Sequence, residues 1–292
     1  MNDQAQVLRT LMANNGNGDI FSKNSNMKVI TVASGKGGVG KSNFSVNLAL
    51  ALKELGKKPL ILDADFGLAN VEIILGERPK YNLSHVLNEQ CSMQEIVTES
   101  KYGVSFISGG SGIKDMMFLT PTQIDKVGRG IASLEEMSDL LVVDTGAGIN
   151  EIVLKFCRLA QDVYIIITPE PTSITDGYAL IKTIANQMTE HVRVNIIVNK
   201  AASRQEAVQV FNNLQSVAKA FLKLEIQYAG FIPYDEKLFM AGKNQVPIAI
   251  YDQRAKSSVA YREIAKQICD VKESDEGEKR NLLNKFKSLF SH

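Results

Sequence analysis

The chain is poor in the residues that carry disulfide, metal–sulfur and imidazole chemistry. Its three cysteines, Cys91, Cys157 and Cys269, lie far apart and form no C-x-x-C pair. That spacing argues against a disulfide framework and a zinc knuckle, and it points to a reducing cytoplasm in which each thiol is a small core residue. The histidines, His85, His191 and His292, are isolated, and no Ser–His–Asp or Cys–His pattern stands out. Surface or helix-end positions suit them better than catalysis. Net charge is only +1, so broad nucleic-acid binding is not implied, although a local basic patch stays open. No apolar run approaches the roughly 18 residues of a membrane span, and the polar N-terminus has no signal-peptide core. There is no internal repeat. What is present, 292 residues with 45% apolar and 22% charged side chains, suffices for one large α/β domain or two small ones.

The chain is organised around Val29-Ile-Thr-Val-Ala-Ser-Gly-Lys-Gly-Gly-Val-Gly-Lys-Ser42. A β-branched run enters this stretch and an amphipathic segment, Asn43 to Leu55, leaves it. Between them Gly35, Lys36, Gly37, Gly38, Val39, Gly40, Lys41 and Ser42 satisfy G-x-x-x-x-G-K-[ST] in a strand–loop–helix context. Glycines let successive backbone N–H groups converge on one anion, and the helix that follows through Asn43 adds its positive end. Lys41 is placed to reach the β- and γ-phosphates, and the Ser42 hydroxyl to ligate Mg²⁺.

Two further acidic stretches follow apolar strands. Pro59-Leu-Ile-Leu-Asp63 reads as a buried parallel strand, and Asp63 and Asp65 then fall at its carboxyl edge, where open α/β sheets bind ligands. Two carboxylates two residues apart suit a Mg²⁺-linked water; a capped turn with solvated acids fits equally well. Asp139-Leu-Leu-Val-Val-Asp144 is the stronger signal, an apolar strand ending in a carboxylate that holds Mg²⁺ beside a phosphate loop. Between them, residues 82–99 look helical, Val104–Ser108 is a strand, and Thr120-Pro121 opens another helix. Thr172 or Ser173 could cap the helix that runs to Met188. Strand Val192 to Val198 runs into Asn199-Lys-Ala-Ala202. A guanine site would read N-K-x-D, so Ala202 removes the guanine acceptor and adenine fits better, with Asn199 as its contact.

The two ends differ from the middle. Residues 1–26 comprise a short helix, Met1 to Met12, and an Asn/Gly/Ser-rich linker; such a helix is either a frayed terminus or a docking peptide. Residues 271–292 comprise an acidic linker and an amphipathic stretch. In that stretch Leu282, Leu283, Phe286, Leu289 and Phe290 share one helical face, flanked by Lys279, Arg280, Lys285 and Lys287. An interfacial membrane helix and a helix docked on its own domain both match that pattern.

The second loop lysine, Lys36, makes Gly35–Ser42 resemble the deviant Walker A loop of the MinD/ParA ATPases, and the resemblance spans about Lys28 to Asp270. It implies a doubly wound, mostly parallel α/β domain over residues 27–270 with helices on both faces. It implies ATP and Mg²⁺ as ligands and an ATP-bound homodimer, in which Lys36 reaches the partner's nucleotide. Asp63-Ala-Asp65 to Asn70 resembles that family's first switch. By that likeness Asp65 orients the attacking water, Asp63 supports the Mg²⁺ shell and Asn70 aids the dimer contact. Thr145-Gly-Ala-Gly-Ile149 resembles the second switch, and Pro233-Tyr-Asp a loop that packs along the base. The T-G-A-G form, and the D-Q-A-x-x-L-R pattern of Asp3, Gln4, Leu8 and Arg9, look like the flagellar FlhG branch. That branch implies an FlhF-type GTPase and flagellar switch (C-ring) proteins as partners, control of flagellar number or placement, and a tail on anionic lipid at the inner membrane face. A MinD-type division regulator and a ParA-type DNA-partitioning protein are the alternatives; near-zero net charge and the apolar tail argue against the second, and no direct nucleic-acid contact is expected. A metal–sulfur scaffold of the Mrp type would want paired cysteines.

Overall fold

The computed structural model describes residues 27–66, 70–110, 121–187 and 192–270. Among the described residues eight strands form a single sheet: β1 (Lys28–Ala33), β2 (Pro59–Ala64), β3 (Thr98–Glu99), β4 (Ser105–Ile107), β5 (Leu140–Thr145), β6 (Asp162–Ile167), β7 (Arg193–Ala201) and β8 (Gln227–Pro233). Their spatial order is β3-β4-β2-β5-β1-β6-β7-β8, and every pairing is parallel except β3 with β4. This is the doubly wound architecture that the resemblance implied, and its parallel strands, covered on both faces, carry little polar alternation.

Alternation along β1 separates two cores. Val29 and Ala33 face one layer, whereas Ile30 and Val32 face the other. The first layer is covered by α5 (Glu151–Leu159), α6 (Pro171–Gln187) and α7 (Arg204–Val217), and the second by α1 (Lys41–Glu54) and α10 (Lys256–Asp270). Strand β1 lies between β5 and β6, so the chain winds in opposite directions from it. The crevice at the carboxyl ends of β1 and β5 is therefore the natural ligand site.

Two expectations are corrected here. The segment after the phosphate loop is a helix but not an amphipathic one. Phe44 through Leu52 are all buried, because α10 packs along its outer side and α9 (Ile248–Tyr251) reaches it too, through the Ala249 N–H donated to Asn47 Oδ1 at 3.1 Å. Residues 82–99 are not one helix. Only α3 (Leu83–Leu87) forms, capped by Asn82 and His85 in a reciprocal box. Glu89 then takes a left-handed φ of 61°, and Ser92 and Glu95 bond each other in a local turn that competes with helix continuation. The helix opened by Pro121 is α4 (Pro121–Ser133). The expected N-terminal helix with Asp3, Gln4, Leu8 and Arg9, and the tail bearing Leu282 to Phe290, lie outside the described residues, as do His191 and His292.

Candidate nucleotide site

Strand β1 delivers the chain into the loop at Ser34, whose hydroxyl donates to the Lys36 carbonyl at 2.7 Å. Two glycines are required by their surroundings. Gly40 has φ 99° and a Cβ there would stand 2.3 Å from Asn199 Nδ2; a Cβ on Gly35 would stand 2.2 Å from the Asp176 carbonyl oxygen at the start of α6. Gly37 and Gly38 form the exposed tip, and Val39 is buried beneath it. Helix α1 begins at Lys41 with Gly40 as its N-cap, so no side chain competes for its first N–H groups.

Asn199 lies under this loop. Its Nδ2 donates to the Val39 carbonyl at 2.6 Å, and its Oδ1 accepts from Lys200 N at 2.9 Å. Lys200 Nζ donates to the Gly38 carbonyl at 3.0 Å. Asn199 thus braces the phosphate loop from the end of β7, a structural role that the expected adenine contact did not include. Pro233, level with Ala201 at the end of β8, stands at the same edge. Ala202 offers no carboxylate to a guanine. ATP is therefore expected to bind at least roughly 10²-fold tighter than GTP, and calorimetric titration with both nucleotides measures the ratio.

The acids gather at the ends of β2 and β5, where Asp63 and Asp144 are register partners. Asp144 is fully buried; Oδ1 accepts from Ser45 Oγ at 2.9 Å, and Oδ2 has no hydrogen-bond partner among the described residues. Burial pushes its carboxyl up to about 6, while the Ser42 and Ser45 hydroxyls and the Lys41 ammonium pull it down. An orphaned buried oxygen next to Ser42 and Lys41 fits a hydrated Mg²⁺ bound with nucleotide phosphates. Lys41 is itself buried; desolvation lowers its pKa, and Asp144 and Asp65 oppose that shift.

Asp63 behaves differently from its expected place in the metal shell. Its carboxylate accepts backbone N–H groups from Asp65 at 3.1 Å, Asn70 at 2.9 Å and Val71 at 3.0 Å, which anchors the turn into α2 (Val71–Leu75). Burial and then the Asp144 charge push it up to about 7. Asp65 is left with a free carboxylate: among the described residues its side chain has no hydrogen bond, and it faces Gly146, where a Cβ would lie 3.6 Å from Oδ1. The Gly146–Gly148 turn is tied to the phosphate loop by Gly148 N donating to the Ser34 carbonyl at 2.9 Å.

Lys36 points away from this cradle. Its Nζ meets Glu170 Oε2 and Thr172 Oγ1, each at 2.8 Å, ahead of and within the first turn of α6. Thr172 is therefore no helix cap, and neither is Ser173, whose Oγ accepts from Thr168 N at 2.9 Å. Ser45, Glu170 and Lys200 were missed by the sequence. Ser45 had a signal, since it follows Ser42 by three residues on one face of a helix.

A family model described as ParA, NUBPL iron-transfer P-loop NTPase, matches residues 25–269. The antiactivator FleN of Pseudomonas aeruginosa is 41% identical over 242 residues, covering 83% of this chain and 86% of FleN. The flagellum site-determining protein YlxH of Helicobacter pylori is 37% identical over 238 residues, 80% of this chain and 78% of YlxH. The septum site-determining protein MinD of Pyrococcus horikoshii, solved with Mg-ADP, superposes with a TM-score of 0.68 at 21% identity, over 84% of this chain and 96% of its own.

Proposed function

Since this chain belongs to the FleN/YlxH branch of the ParA/MinD P-loop ATPases, we propose that it is an ATP-driven dimerising switch. It sets flagellar number or placement from the inner face of the cytoplasmic membrane and stimulates an FlhF-type GTPase through Met1 to Met12. The observation that carries this reading is the outward position of Lys36. A loop lysine that served its own phosphates would turn inward beside Lys41; Lys36 instead rests on an exposed carboxylate. Such an exposed ion pair contributes little, so a second protomer's nucleotide displaces it readily.

The chemistry is positioning. Backbone N–H groups of the loop and the Lys41 ammonium neutralise the β- and γ-phosphates, and Asp65, over the Gly146 turn, holds water in line. Ser42 and Asp144 hold Mg²⁺, which when bound offsets charge on the transferred phosphoryl group. By the same reading Asn70 aids the dimer contact, and flagellar switch proteins are further partners.

One set of variants tests the proposal. ATP-dependent sedimentation with phosphatidylglycerol vesicles is expected for the wild type and not in ADP, because two weak tails on one dimer bind through effective concentration. Phe286→Glu should abolish sedimentation but leave dimerisation intact. Lys36→Ala should bind ATP yet remain monomeric by light scattering, and deletion of Met1–Met12 should abolish only the stimulation of GTP turnover. A Lys36→Ala protein that dimerises like the wild type would remove the central step.

A further inference from the structure

At the edge of the sheet away from the phosphate loop, a cleft of about 230 Å³ lies between the turn that joins α1 to β2 and the β3–β4 ribbon. Lys53, Lys57 and Lys58 form one wall, Glu99 stands in the other, and Leu134 and half-exposed Met137 contribute an apolar side. Lys53 donates to the Tyr102 carbonyl at 2.8 Å. Neither Lys57 nor Lys58 has a carboxylate within ion-pair distance of its ammonium among the described residues.

Helix α10 ends near the lysine turn, although none of its residues lines the cleft. It packs along α1, and Cys269 in its last turn lies within electrostatic reach of Lys57 and Asp139. Asp139 Oδ1 accepts from Lys58 N at 2.9 Å, so the end of α10 and the lysine turn are neighbours. The next residues of the chain are Val271, Lys272, Glu273, Ser274, Asp275, Glu276, Gly277 and Glu278, four carboxylates against one ammonium. Eight residues span at most roughly 26–29 Å, ample to cross a cleft of this size.

We propose that the acidic segment 271–278 of this same chain occupies the lysine cleft, pairing its carboxylates with Lys57 and Lys58. Position, reach and sign of charge favour this occupant over a free anion, which would have to compete with a tethered one at high effective concentration. The docked segment fixes where the amphipathic stretch beyond it leaves the domain, at the sheet edge away from the phosphate loop. The pairing itself does not depend on the membrane reading.

Distance measurement between spin labels tests this in the full chain. Ser274→Cys and Glu54→Cys carry the labels, Cys91 and Cys269 become serine, and buried Cys157 stays because it is inaccessible to label. A short, narrow distance population is expected. Lys57→Glu with Lys58→Glu should abolish that population, and adding Glu273→Lys, Asp275→Lys and Glu276→Lys should restore it, which a merely structural effect of the first pair would not allow. Identical distributions in all three proteins would overturn the proposal. So would a charge reversal that leaves the distance unchanged but abolishes binding to phosphatidylglycerol vesicles, since the cleft would then belong to a lipid headgroup.

Discussion

Asp144→Asn is expected to eliminate ATP hydrolysis and, at neutral pH without Mg²⁺, to stabilise the fold. Asp144 is wholly buried, and one of its oxygens has no partner among the described residues. Burial, the largest cause, raises its carboxyl from 3.8 to about 6, and Asp63 beside it rises to about 7. Between pH 4 and 7 the native state therefore holds protons that the unfolded chain has already released. Stability of the metal-free protein then falls as pH rises through that window, by up to about 1.4 kcal/mol per pH unit for each such group. Below pH 4 both states are protonated and the effect is flat. Asparagine keeps the Oδ1 that accepts from Ser45, carries no charge to desolvate, and removes the like-charge push on Asp63. Thermal unfolding at pH 5.5 and 7.5 without metal should show a loss of melting temperature in both proteins, smaller in the variant, which keeps the burial-driven shift of Asp63 but loses that of Asp144. Saturating Mg²⁺ and ATP should reverse the order, because only the wild type offers an anion to the metal. Equal pH slopes in the two proteins would mean that Asp144 is not held protonated by its surroundings.

The parts of this site that were legible in the sequence are those built from contiguous residues. The phosphate loop demands glycine where the backbone turns left-handed, at Gly38 and Gly40, and a lysine at the head of a helix; a regular pattern records both. Strand β5 announced itself as an apolar run ending in Asp144, because a parallel strand buried on both faces has little alternation to hide it. What stayed illegible depends on which strands become neighbours. Asn199 supports Val39 from 160 residues away, and Glu170 meets Lys36 across 134, contacts created by β6 and β7 falling on the same side of β1. The all-round burial of α1 has the same origin: nothing within Lys41–Glu54 says that α10 will cover its outer side. The residues 82–99 failed for a local reason, since helical periodicity survived there while Asn88, Glu89 and Ser92 supplied turn chemistry that won.

Asp65→Ala should bind ATP and Mg²⁺, and dimerise, while hydrolysis slows by roughly 10²–10⁴-fold, the usual worth of a positioned general base or water orienter. The two acids of the first switch divide the work by geometry. Asp63 is engaged with three backbone N–H groups and is buried, so it acts on the shape of the turn. Asp65 contributes only its backbone N–H to that turn, and its carboxylate lies across from Gly146 at the mouth between the phosphate loop and the second turn. A capped turn with a solvated acid would predict no kinetic change on removing that carboxylate. The charge has a second effect of known sign. Asp65 raises the pKa of both Asp63 and Asp144, though it is the last-named influence on each. The alanine variant should therefore ionise Asp144 at slightly lower pH and bind Mg²⁺ no more weakly than the wild type. Slow single-turnover hydrolysis at unchanged nucleotide affinity, with undiminished Mg²⁺ affinity, is the expected pair of results. Wild-type turnover would leave Asp65 without a part in the chemistry, and weakened Mg²⁺ binding would place it in the metal's shell instead.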